Sequence, residues 1–158
     1  MLRETYYIIF GWVIMVVLLI IFTPKDKIRH AYVIFTFKQI MTWILGLTVA
    51  ELRLIKYPVR SFAYANKSSF DFEFFAYPAF CVLFVLHYPE GKSTFKQLLY
   101  YFYYCTVLTS IETIVEKYTN IIEYIHWTWY ISYITFFITF FLSHKFYRLY
   151  FKKVEIRP

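Results

Sequence analysis

Five apolar runs, each close to the length that crosses a bilayer, alternate with short polar joints that carry nearly all of the charge. At 1.5 Å per residue, about 20 residues of helix span the ~30 Å hydrocarbon layer, so an uncharged run of that size predicts a transmembrane helix. The first covers 6–22, YYIIFGWVIMVVLLIIF, with no charged residue. It is longer than a signal-peptide core, and Thr23, Pro24 and Lys25 follow it where a small-x-small cleavage site would stand, which predicts a retained span. The others are expected over 31–50, 70–88, 98–115 and 125–142, with a basic tail over 144–158. The pattern predicts an all-α fold: a five-helix transmembrane bundle forming one integral-membrane domain over 1–158.

The interruptions of this pattern carry the information. Lys38 and Gln39 lie within the second run, where Lys38 either extends its amine to the headgroups or acts as a counter-ion inside the bundle. The third run opens with Asp71 and Glu73, expected to compensate the positive end of the helix dipole, and contains Pro78, which frees a carbonyl near Phe74. The fourth ends with Glu112 and Glu116, one turn apart, and then Lys117. Between the second and third runs, ELRLIKYPVRSFAYANKSS over 51–69 alternates apolar residues with Arg53, Lys56 and Arg60. It is expected to lie in the interface over the mouth of the bundle, or to extend the second helix as far as Tyr57.

Composition changes this picture little and sharpens it in one respect. With 60% hydrophobic and 25% aromatic residues, the chain has more apolar surface than a soluble domain of 158 residues can bury, which makes the lipid bilayer its first partner. Few glycines favour helix contacts through large side chains and tyrosine hydroxyls over small-x-x-x-small seams. The net charge of +7 is dispersed in short clusters between the runs, the pattern of topology signals, so no nucleic-acid partner is expected. Five spans place ten basic residues on one side and six on the other. Basic residues mark the cytoplasmic face, which predicts a multi-pass cell-membrane protein with its amino end outside and its carboxyl end in the cytoplasm.

Depth counting under that topology gathers one dense polar cluster near the outer face: Glu112 and Glu116, with Arg53, Arg60, Glu73 and Lys117 around them. Glu112 falls level with Tyr77 and Pro78 and with Tyr130 or Ser132. One reading makes the cluster structural, Glu112 pairing with an arginine or with Tyr and Ser neighbours, in a non-enzymatic accessory or interaction component. Another makes it a water-accessible pocket for a cation, a proton or a small polar ligand, in a small transporter or binding protein expected to work as a homo-oligomer, whereas the accessory reading expects a membrane-protein partner. A third is an enzyme acting on lipid; paired carboxylates can serve as acid and base, yet nothing in the spacing shows them converging on a substrate, and the chain is read as non-enzymatic. Cys81 and Cys105 lack metal-ligand spacing, the four histidines map to the interfaces, and no nucleotide-binding or hydrolase motif occurs. No metal site and no cofactor is expected.

Four stretches carry a resemblance: YPVRSF at 57–62, SFDFEFFAYPAFCVLF at 69–84, YPE at 88–90 and, above all, ETIVEKYTNIIEYIHWTWY at 112–130. They resemble an uncharacterised family of small polytopic integral-membrane proteins from Bacillus- and Clostridium-type spore-forming bacteria. The resemblance covers nearly the whole chain beyond the first run and implies a helical membrane protein. It lends no mechanism and no catalytic residue, although its recurring motifs include Arg60, Glu73, Glu112, Glu116 and Lys117.

Overall fold

Proline and charged turns punctuate the apolar runs, and the helices start and stop at those marks. A computed structural model describes residues 2–155 and shows an all-α bundle of five helices. Helix α1 spans Leu2–Phe22 and ends just before Pro24, whose ring cannot continue it; a 3-10 turn over Lys25–Lys27 leads into α2, Ile28–Glu51. A π-helical segment, Phe70–Ala76, runs into α3, Tyr77–Leu86. Helix α4 spans Thr94–Tyr118 and α5 spans Trp129–Glu155. Three of these segments are long and apolar enough to cross a membrane: Leu2–Phe22, Lys25–Glu51 and Thr94–Tyr118.

The shortest helix is the centre of the bundle. Helix α3 packs against α1, α2 and α5, and its residues from Tyr77 through Val85 are buried apart from Phe80, as expected of a helix apolar on every side. Phe84, fully buried, is surrounded by the rings of Tyr88, Tyr100, Tyr101, Tyr104 and Phe140, with centroid separations of 4.6–5.9 Å. Helix α1 stands at the periphery, largely exposed, with Met15 the buried residue of its apolar stretch, packed against Ala79 and Leu83.

Three expectations need correction. The 51–69 connection does not extend α2 towards Tyr57. Helix α2 ends at Glu51, Arg53 turns the chain with φ 55°, and Ile55–Lys56 (β1) pairs antiparallel with Glu123–Tyr124 (β2). The connection is amphipathic with the period of a strand: Ile55 and Tyr57 point inward and Lys56 outward. The fifth helix begins at Trp129 rather than 125, because the Ile125 and His126 amides are held by the Leu54 carbonyl. It also continues through most of the expected basic tail; residues 156–158, with Arg157, lie outside the described residues.

The third run departs from a simple helix for a physical reason. Pro78 sits in the first turn of α3, where its missing N–H would leave the Phe74 carbonyl without its helical donor. Gln39 Nε2 supplies that bond (2.9 Å), and Thr42 Oγ1 donates to the neighbouring Glu73 carbonyl (2.6 Å). Ser69, not an acidic residue, caps the segment, its Oγ accepting from the Phe72 amide (3.3 Å).

Candidate functional site

The wide turn of the π-helical segment rotates Glu73 into the bundle, and its carboxyl group comes to rest on Gly46 of α2. Glu112 enters the same space from α4. Both are buried, at 4% and 9% exposure, and both line a cavity of about 70 Å³ bounded also by Thr42, Tyr57, Tyr77 and Ser132. That volume admits more than one water-sized occupant.

The two carboxylates are held differently. On Glu112, two hydroxyls converge on Oε1: Ser132 donates at 2.5 Å and Tyr124 donates to the same oxygen. Trp127 Nε1 in turn donates to Ser132 Oγ (2.7 Å), and the Ile55–Tyr124 strand pair fixes the reach of Tyr124. On Glu73, Oε1 accepts from the Tyr57 hydroxyl (3.1 Å), whereas the buried Oε2 has no hydrogen-bond partner among the described residues. The Ser68 hydroxyl, which donates to Asn66 Oδ1 (3.0 Å), and the Ser69 backbone lie beside the Glu73 carboxylate. Among the described residues, no cationic side chain is ion-paired with either carboxylate, and none lines the cavity.

The phenols that serve this site are kept protonated. Burial pushes the Tyr57 hydroxyl well above its ordinary range, and the adjacent Glu73 adds to the effect. Tyr124 is raised for the same reasons, burial first and Glu112 second. Each can therefore act only as a donor to its carboxylate near neutral pH.

No protein-family model, curated protein or solved structure matches the chain. The site must be read from its own chemistry.

Of the residues expected in the outer cluster, Glu73 and Glu112 come together in the cavity and the others do not. Arg60 organises the connection after β1, donating to the carbonyls of Tyr57 (2.6 Å), Asn66 (2.7 Å) and Ala63 (3.2 Å). Arg53 is exposed at its turn; Glu116 is half-buried, outside the cavity lining; and Lys117 is exposed beside the Tyr118 ring. Asp71 is buried and ties three elements together, accepting from Trp12 Nε1 (2.9 Å) and from the Ser61 amide (3.1 Å) and hydroxyl (2.9 Å). Trp12 also stacks on Phe75 at 4.0 Å, which fastens the middle of α1 to the π-helical segment, and nearer the amino end the buried Glu4 accepts from Asn120 Nδ2 (3.4 Å).

Lys38 follows neither course foreseen for it. It is fully buried, with Nζ 4.0 Å from the centroid of the Tyr77 ring and 4.9 Å from that of Phe140; it neither reaches an interface nor pairs with a carboxylate. Cys81 and Cys105 are free and buried in the surrounding core. At the opposite end, His144 bridges Tyr101 (Nδ1, 3.0 Å) and Glu90 (Nε2, 3.0 Å), and His87 Nδ1 engages the Leu83 carbonyl. Among the described residues, no group of three or more His, Cys, Asp or Glu is arranged to hold a metal ion.

Tyr57, Thr42, Gly46 and Trp127 were missed as site residues. Alternation of Ile55, Lys56 and Tyr57 is the signal that could have placed Tyr57 inside. Thr42 and Gly46 continue the i, i+4 series from Lys38 that forms the buried edge of α2.

Proposed function

We propose that the chain is a non-enzymatic, multi-pass cell-membrane protein of five spans, amino end outside, whose carboxylate cavity binds a small monovalent cation or a proton. It is the kind of small polytopic membrane protein that its sequence resembles, and the reading favours a binding or transport component over a purely structural clasp. One observation carries it: among the described residues, Glu73 and Glu112 share a cavity that no basic side chain lines, and the buried Glu73 Oε2 has no donor in hydrogen-bond geometry. Two carboxylates in one low-dielectric space do not both stay ionised and bare; a proton or a cation must enter with them. The surrounding oxygens are neutral hydroxyls, a hard donor set. Divalent ions usually gather more carboxylates or retain several waters, which a cavity this small disfavours.

The test is thermal denaturation of the purified chain in detergent, titrated with sodium or potassium against choline at constant ionic strength, and with pH between about 5 and 8. A ligand held only by the folded state raises the melting temperature by mass action. The wild type is expected to respond to at least one of these and Glu73→Gln to lose that response. Indifference of the folded wild-type protein to sodium, potassium and protons alike would defeat the proposal.

A further inference from the structure

A second cavity lies at the other end of the bundle. Helices α1 and α2 are consecutive, yet both pack on α3, and between their facing ends a groove of about 390 Å³ remains open. Leu19 and Ile20 of α1 form one wall, Ala31 and Phe35 of α2 the other, and Val82 of α3 the floor. Where the groove meets the α1–α2 turn, its lining changes from hydrocarbon to Thr23 and Lys25. Thr23 Oγ1 is buried with no hydrogen-bond partner, and Lys25 makes no ion pair among the described residues. Lys27 and Arg29 stand at the same turn against Asp26 alone, so this end of the groove is positively charged.

We infer that this groove is a binding site for an anionic phospholipid, one acyl chain lying between α1 and α2 and the phosphate meeting Lys25 and the Thr23 hydroxyl. Two features select this occupant. The walls belong to the two segments of membrane-crossing length at the amino end of the chain, and Ile20 (74% exposed) and Tyr32 (71% exposed) leave the groove open along its side, where hydrocarbon surrounds a spanning helix. An alkyl chain can enter there without exposing a polar backbone to lipid. At the turn, a lysine and its basic neighbours complement a headgroup phosphate with net negative charge, and the unpartnered hydroxyl supplies a directed donor beside them. The volume is in the range of specific ligand pockets and suits a chain rather than a whole lipid. The site is separate from the carboxylate cavity and does not depend on what that cavity binds.

Native mass spectrometry of the full chain tests the inference, using phosphatidylglycerol and phosphatidylcholine with identical acyl chains. The wild type is expected to retain phosphatidylglycerol about fivefold better, the preference one basic residue at a membrane surface confers. Lys25→Gln should erase that preference while leaving retention of phosphatidylcholine unchanged. Ala31→Phe, which fills the groove from the α2 wall, should lower retention of both. Equal retention of the two lipids by the wild type would overturn the inference. So would an unchanged preference in Lys25→Gln, or a dimer formed by the wild type and lost in Ala31→Phe, since the groove would then be occupied by a second copy of the chain.

Discussion

The Glu73 carboxyl group lies directly on the backbone of Gly46, so that a methyl group at position 46 would occupy the place of the carboxyl carbon and both of its oxygens. The absence of a side chain at Gly46 is what lets a buried acid sit between α2 and the π-helical segment. Gly46→Ala should therefore evict Glu73 from the cavity and destabilise the protein by about 1–3 kcal/mol, the usual cost of overpacking. The same substitution should be nearly neutral in a Glu73→Ala background. A double-mutant cycle on melting temperatures measures the coupling; full additivity would show that the two residues do not share the space.

Gln39 performs a task that its position in an apolar run disguises. Its amide donates to the Phe74 carbonyl that Pro78 leaves without a helical donor. Gln39→Leu leaves a partly buried carbonyl without that donor, with an expected loss of about 1–3 kcal/mol. Pro78→Ala restores an N–H at the start of α3, so the double variant should recover part of the loss. Equal melting temperatures for Gln39→Leu and wild type would show that the carbonyl finds another donor.

The sequence legibly marks helices and hides the details that build the site. Hydrophobic run length locates the five helices, because it is a direct consequence of solvation, and Glu112 stands out because a charge in such a run is costly. Depth counting also brings Ser132 and Tyr77 to its level, since rise per residue is nearly constant. An acid in a first helical turn ordinarily compensates the dipole, which puts Glu73 at the rim in a sequence reading; the π-helical segment that turns it inward is met by Gln39 and Thr42, 35 and 31 residues from the carbonyls they bond. The arginines looked like partners for the carboxylates on charge alone. Arg60 instead meets three carbonyls of its own connection, and local backbone geometry of that kind leaves no trace in composition.

The Tyr57–Glu73 hydrogen bond has a consequence at alkaline pH. The Tyr57 phenol is held above its ordinary value of about 10, by burial first and Glu73 second, so the unfolded chain releases this proton before the folded one does. Its contribution to stability is complete below about pH 10 and declines as the pH rises from there towards the folded-state value, by up to ~1.4 kcal/mol per pH unit. Melting temperatures measured from pH 8 to 11, in steps of about half a unit, should fall less steeply in Tyr57→Phe than in wild type. Parallel curves would mean that the phenol titrates alike in both states.

Lys38 is a fully buried amine in the core of the bundle, and its replacement separates stability from function. Its amine is fully buried without a hydrogen-bond partner among the described residues, facing the rings of Tyr77 and Phe140 and the thiols of Cys81 and Cys105. A cation over two rings recovers about 2 kcal/mol or more when desolvated, less than the several kcal/mol that removing a charge from water requires. Methionine has nearly the same length and shape and no charge to desolvate. Lys38→Met is therefore expected to fold and to melt at a higher temperature, by about 1–3 kcal/mol of added stability, whereas Lys38→Glu places a carboxylate against the negative faces of both rings and should melt lower than wild type. Thermal denaturation of the three proteins in one detergent decides the matter. A lower melting temperature for Lys38→Met would mean that the ring contacts outweigh desolvation, making Lys38 a structural cation. The higher one would leave the retention of so costly a group to be explained by what the protein does, and would make Lys38→Met the folded variant in which to measure cation and proton responses at Glu73 and Glu112.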